Sequence, residues 1–167
     1  FYTNALDMKV SGIDFVATYT LNWGTELGIA INSNQIEVTS QNKVNGLDPV
    51  LPLTVFNLEN NLPELRASVN VDHRFSNGIS LMFRLNHYGE TTDERSTQEK
   101  VDPAQLIDIE LSYKVSDRLS VVFGANNILN AYPTEIETRV SQGMPYPRRS
   151  PLGYNGGILF TRLAYNF

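Results

Sequence analysis

Four groups of residues have the types that chemistry needs. Asp108 and Glu110 alternate on one strand face, about 7 Å apart by the rise of a strand, and a carboxylate pair at that spacing suits acid–base work. The same two residues also suit a charge ladder with Lys114, Arg84 and Arg66, and that is the expected role. His73 and His87 are the only histidines, and they fall on separate strands near opposite ends, whereas a metal site gathers its ligands. The acidic run Glu90-Thr91-Thr92-Asp93-Glu94-Arg95 offers carboxylate oxygens without a calcium-loop spacing, so it reads as a solvated loop. Arg139, Arg148 and Arg149, with Tyr146 and Tyr154, share one late loop and could hold an anionic ligand through charge-assisted bonds. The alternative is contact with lipid phosphate, or simple solvation.

Other chemistries have no residues to carry them. Cysteine is absent, which removes thiol catalysis, disulfides and zinc–thiolate sites. There is no Ser-His-Asp set, phosphate-cradling glycine loop or metalloprotease motif. No enzyme, cofactor or metal site is expected. Net charge is −5 with the basic residues scattered, so nucleic acid is not an expected partner.

The elements that must position these residues read almost entirely as strands. Period-2 alternation gives seven: Gly12–Leu21, Glu26–Ile36, Glu64–Phe75, Gly78–Tyr88, Leu106–Val115, Arg118–Ile128 and Asn155–Phe167. Short connections fall at Asn22-Trp23-Gly24-Thr25, Ser76-Asn77 and Ser116-Asp117, alternating with long ones over Glu37–Pro63, Gly89–Gln105 and Leu129–Tyr154. Asn77-Gly78 predicts a type I′ turn. All eight prolines lie in the long connections, where no ladder hydrogen bond is lost.

The two faces differ sharply. One carries Ile13, Phe15, Ala17, Tyr19, Leu27, Ile29, Ile31, Val69, Val71, Leu81, Phe83, Leu85, Ile107, Ile109, Leu111, Val121, Phe123, Leu159 and Leu163, and no charge within those strand limits. The other holds Asp14, Glu26, Arg66, Asp72, Arg74, Arg84, Asp108, Glu110, Lys114, Arg118 and Arg162. A charge facing lipid near mid-bilayer costs about 2–4 kcal/mol, a penalty that would enforce this segregation. A soluble sandwich also alternates, but its strands are shorter than the ten to twelve residues here, and it has no reason to sort short from long loops. Tyr19, Trp23, Phe75, Tyr113, Tyr165 and Phe167 gather toward the short-turn end as an interfacial aromatic girdle. By parity His73 and His87 point outward at the two membrane borders. The fold class predicted is all-β, an antiparallel up-and-down transmembrane β-barrel.

Three stretches add a resemblance. The final strand, with Leu159, Leu163, Tyr165 and Phe167 on one face, resembles the terminal signature of outer-membrane proteins. Arg118–Pro133, with Asn127-Ile128-Leu129-Asn130 before Tyr132-Pro133, resembles the penultimate strand of TonB-dependent receptors, where an Asn-Leu-Phe-Asp-like turn precedes Tyr-Pro. Ser150-Pro151-Leu152-Gly153-Tyr154-Asn155-Gly156 resembles the run opening that family's last strand, and Asn4 with Gly12-Ile13-Asp14 resembles a strand entry.

The resemblance implies that residues 1–167 are the C-terminal seven-strand segment of a barrel of about 22 strands, with plug and earlier strands preceding Phe1. It implies TonB-dependent uptake of a scarce nutrient, an iron–siderophore type of ligand, through the outer membrane of a Gram-negative cell, with the C-terminus periplasmic. The implied partners are outer-membrane lipid and lipopolysaccharide, the remaining strands and plug, the TonB complex, the barrel-assembly machinery reading Leu159, Leu163, Tyr165 and Phe167, and the small-molecule nutrient. The competing reading is a passive outer-membrane channel or structural barrel without energy coupling.

Overall fold

The computed structural model describes residues 4–93, 98–136, 143–147 and 150–167. Seven strands form one antiparallel meander: β1 (Leu6–Leu21), β2 (Thr25–Gln41), β3 (Leu65–Arg74), β4 (Ile79–Tyr88), β7 (Ala104–Lys114), β8 (Leu119–Asn126) and β9 (Ile158–Tyr165). A helix, α1 (Pro52–Asn60), and a small hairpin, β5 (Thr91–Asp93) with β6 (Glu99–Val101), lie within the long connections. The sheet is an unclosed length of barrel wall, with β1 and β9 at its two edges.

Register shows that the predicted faces are continuous. Tyr19 stands opposite Leu27, then come Val71, Phe83, Ile109, Ala125 and Leu159, each paired with the next. One step along, Ala17, Ile29, Val69, Leu85 and Ile107 form another uncharged row. On the other face, Thr20, Glu26, Asp72, Met82, Glu110, Gly124 and Phe160 run across all seven strands. Among described sheet residues almost nothing is fully buried; Ile13, Phe15, Leu159 and Leu163 are 53–84% exposed. A sheet whose largest apolar side chains lie open has lipid where a soluble fold has a second layer.

The same register gives the strand tilt. The turn of the first hairpin closes at Leu21–Thr25, a row that continues through His73, Leu81, Leu111 and Phe123. The second turn closes at Phe75–Ile79, two residues below His73, and the third at Val115–Leu119, four below Leu111. The turns therefore step by about one residue per strand. With a rise of about 3.3 Å and a strand spacing of about 4.8 Å, turns at one level need a tilt of about 35°, the value closed barrels adopt.

The larger differences from the sequence reading lie on the side of the long connections. β1 and β2 run six and five residues beyond their expected ends, paired from Leu21–Thr25 up to Leu6–Gln41 with a bulge after Asp7. Alternation conceals this because its sense reverses. Ile13 is followed upward on its own face by Ser11 and Lys9, opposite Ser33, Gln35 and Glu37, while Val10, Met8, Ile36 and Val38 take the other face. At a rise of about 3.4 Å per residue a 16-residue strand is about 54 Å long, more than a tilted strand needs to cross about 30 Å of hydrocarbon. The reversal marks the strand leaving the lipid.

β3 reaches only to Ser33 of β2, so the upper edge of β2 needs another cover. Helix α1 supplies it: the Val38 N–H donates to Glu59 Oε1 (2.8 Å). Pro52 opens this helix at a position where a missing N–H costs nothing, in a stretch that the sequence predicts as part of a long connection. In the second turn only Gly78 takes positive φ (83°), with the Asn77 side chain accepting from the Ile79 N–H. This is a three-residue loop in place of the expected type I′ turn, because Phe75 and Ile79 form its closing pair.

Candidate functional site

Above the sheet the long connections pack on one another, and the most buried apolar side chains are there: Val101, Ile136 and Leu152, all at most 4% exposed. The joint that organises them is the Asn127–Ala131 turn. Asn127 takes φ +51° and its side chain grips Ala131 twice, donating to the carbonyl (2.7 Å) and accepting from the N–H (2.9 Å). Its own N–H donates to Asp108 Oδ1 (2.9 Å). Asn130, also left-handed at φ +54°, accepts from the Gly157 N–H through Oδ1 (2.8 Å). Gly156 takes φ +67° and lies so near Asn130 Oδ1 and the Tyr132 hydroxyl that no Cβ would fit. The two motif stretches of the sequence are thus halves of one joint, which ties the end of β8 to the start of β9.

From this joint the chain crosses toward the β6–β7 connection, where the Asp102 N–H donates to Thr134 Oγ1 (2.9 Å). The Ile136 N–H donates to the Pro145 carbonyl (2.6 Å). Tyr132, Tyr146 and Tyr154 then stack in series, with ring centroids 6.0 and 5.9 Å apart and planes within 17°. These are offset-stacked distances. The Tyr154 hydroxyl donates to the Pro147 carbonyl (2.7 Å), so its polar end is engaged within the loop. Of the expected ligand residues, the structure brings Tyr146 and Tyr154 together and adds Tyr132, which sequence reasoning did not select. Its pairing with Pro133 in a tyrosine- and proline-rich connection was the available signal. Arg139, Arg148 and Arg149 lie outside the described residues.

The charge ladder is built differently from expectation. Arg84 stands opposite Asp108, yet its Nε donates to Asn70 Oδ1 (2.8 Å), while Asp108 holds the Asn127 turn. Glu110 pairs with Arg162 (3.3 Å), and the same guanidinium lies over the Phe160 ring (5.7 Å), which itself covers Gly124. Lys114 turns to Asp117 (2.7 Å) in the short connection. Among the described residues no three metal-type side chains cluster. Glu90 of the acidic loop pairs with Lys100 (2.8 Å). His73 meets Thr25 Oγ1 (2.6 Å) and packs edge-to-face with Phe75 (ring centroids 4.2 Å apart), at the short-turn border of the apolar face.

Leu159, Leu163 and Tyr165 stand opposite Ala125, Val121 and Leu119 along the outer face of β9, and Phe167 follows, fully exposed and edge-on to Tyr165 (5.2 Å). Among the described residues no strand lies on the far side of β9, which leaves that edge for another strand.

A family model described as TonB dependent receptor-like, beta-barrel matches residues 1–128. No curated protein matches the chain. Among solved structures, the FrpB iron transporter of Neisseria meningitidis is similar over 96% of this chain at 15% identity and a TM-score of 0.65. The ferric-catecholate import receptor Fiu of E. coli K12 is similar over 95% at 13% identity (TM-score 0.64), and the copper transporter OprC over 97% at 13% (TM-score 0.63). The chain spans 24%, 21% and 24% of those three chains, respectively.

Proposed function

This chain belongs to the TonB-dependent receptor family as a length of its outer-membrane β-barrel, and from that premise we propose that the whole protein imports a scarce nutrient, an iron chelate of the siderophore type. The family match carries this reading. The choice of iron draws on the iron transporter and the ferric-catecholate receptor among chains of the same fold; a copper transporter shares that fold, so the wall itself leaves the cargo open. The work of the protein is binding and gating, with no covalent step.

Residues 1–167 form the C-terminal segment of the barrel in this reading, and a plug and further strands complete it. An unpaired strand edge in hydrocarbon leaves N–H and C=O groups without partners, so the free edges of β1 and β9 call for neighbours. The short turns face the periplasm, where TonB acts through the plug, and the long connections face outward, toward lipopolysaccharide and the ligand. Leu159, Leu163, Tyr165 and Phe167 serve as the strand that the barrel-assembly machinery reads. Arg139, Arg148 and Arg149 draw an anionic chelate toward the rings of Tyr146 and Tyr154.

The decisive measurement is accumulation of radioactive iron, supplied as ferric catecholate and hydroxamate chelates, by iron-starved cells making the full-length receptor. Uptake that stops without TonB is expected; equal uptake with and without TonB would favour the passive channel. For the site, Arg148→Ala and Arg149→Ala should each weaken equilibrium binding of the accepted chelate about tenfold or more, the worth of a charge-assisted bond. Unchanged affinity retires the ligand role of the two arginines.

A further inference from the structure

The end of β8 breaks the alternation of its own strand. Leu119, Val121, Phe123 and Ala125 lie on the outer face, so simple alternation would turn Asn127 outward and Ile128 inward. The left-handed Asn127 (φ +51°) inserts one extra residue instead. The Ile128 N–H then donates to the Ile107 carbonyl (2.8 Å), and Ile107 belongs to the outer row of Ala17, Ile29, Val69 and Leu85. The bulge brings Ile128 into that row, leaving Asn127 buried (8% exposed) and Ile128 and Leu129 open at 47% and 65%.

Four N–H groups of the turn are satisfied by the protein. The N–H groups of Asn127, Ile128, Asn130 and Ala131 donate to Asp108, Ile107, Asn127 and the Asn127 side chain, respectively. A segment that lies in a medium without water needs such closure, whereas a turn bathed in solvent does not. Height agrees. Ile107 lies eight residues above Val115 at the third short turn, as Ile13 lies eight above Leu21 at the first, and beyond Ile13 the outer face becomes Ser11 and Lys9. The exposed Ile128–Leu129 tip is therefore level with the last apolar residue of β1, where the face established as lipid-wetted ends.

We infer that Ile128 and Leu129 insert among the acyl chains of the leaflet on the side of the long connections, and so pin the joint that carries Tyr132 at the membrane surface. The occupant is lipid, because the tip continues the outer apolar row without a break. This rests on the barrel-wall reading and on neither the cargo nor the direction of transport.

The test uses the full-length receptor in lipid vesicles, with any other cysteines replaced. Single cysteines at Leu129→Cys, Phe123→Cys and Lys9→Cys are labelled with a polarity-sensitive fluorophore. Lipids bearing a nitroxide on the upper acyl chain should lower emission at position 129 about twofold, with Phe123 quenched as the lipid-facing reference and Lys9 reached by aqueous iodide. Quenching of position 129 by iodide in place of the nitroxide lipid would overturn the inference. So would protection from both quenchers, which would mean that another part of the protein covers the tip. Failure of the Phe123 reference to meet lipid would strike the barrel reading itself, a result distinct from either.

Discussion

At the scale of single residues, this protein concentrates its polar design in asparagine. Asn127 combines a left-handed backbone with four hydrogen bonds, two through its side chain, one from its N–H and one accepted by its carbonyl from the Asn130 N–H. Asn127→Ala should cost about 2–3 kcal/mol, from αL strain and the loss of both side-chain bonds. Asn127→Gly should recover about 1 kcal/mol of that by relieving the strain alone. Urea titration of the full-length receptor in vesicles would check both. Two exposed ion pairs give opposite pH signs. The hydrogen bond from Lys114, and then its charge, hold the Asp117 carboxyl below its ordinary value. Its contribution is therefore present above the unfolded carboxylate value and lost as pH falls through the folded one. Lys100 is held above its ordinary value by the hydrogen bond to Glu90 and then by that residue's charge. Its contribution is present below the unfolded lysine value and lost as pH rises through the folded one. Lys114→Ala should move the Asp117 titration midpoint upward, as followed by carboxyl NMR shifts in acid.

At the scale of elements, parity governs what each strand tolerates. Phe83 and Met82 are neighbours on β4, but Phe83 lies in the outer row of Val71 and Ile109, while Met82 stands between Asp72 and Glu110. Phe83→Arg should cost about 2–4 kcal/mol near mid-bilayer. Met82→Arg should be close to neutral, since it adds a cation between two carboxylates. Comparable losses for the two variants in the urea titration would contradict the assignment of faces. Parity is also what made the seven strands readable, and its reversal above Gly12 is what hid the upper third of β1 and β2. Helix α1 and the β5–β6 hairpin were not readable for another reason. Helix α1 answers the free edge that β3 leaves on β2, and the two strands of the hairpin are only three residues each; neither carries a periodic pattern of its own.

At the scale of the whole molecule, the sheet is a wall in need of the rest of its barrel. Among the described residues its apolar face is open and its two edge strands each pair on one side alone. The 167-residue chain expressed alone should aggregate in detergent-free buffer, because large exposed apolar faces and unpaired edges favour association. A soluble, monodisperse species by light scattering would contradict that. The loop layer makes a second demand, since its small core of Val101, Ile136 and Leu152 joins two connections, β4–β7 and β8–β9, that are far apart in sequence.

Sequence alone determined which face meets lipid, which strands pair in order, and the family to which the string through Asn127 and Tyr132-Pro133 points. Those properties are local: a two-residue period, a run of turn residues and a motif can each be read within one stretch of chain. Only the tertiary structure decided that Asp108 braces a turn and does not join a ladder, that Gly156 is small because Asn130 and Tyr132 stand over it, and that three tyrosines stack. Each of these depends on groups between 8 and 26 residues apart meeting in space, and spacing along the chain does not encode which neighbour a side chain will choose when several lie within reach.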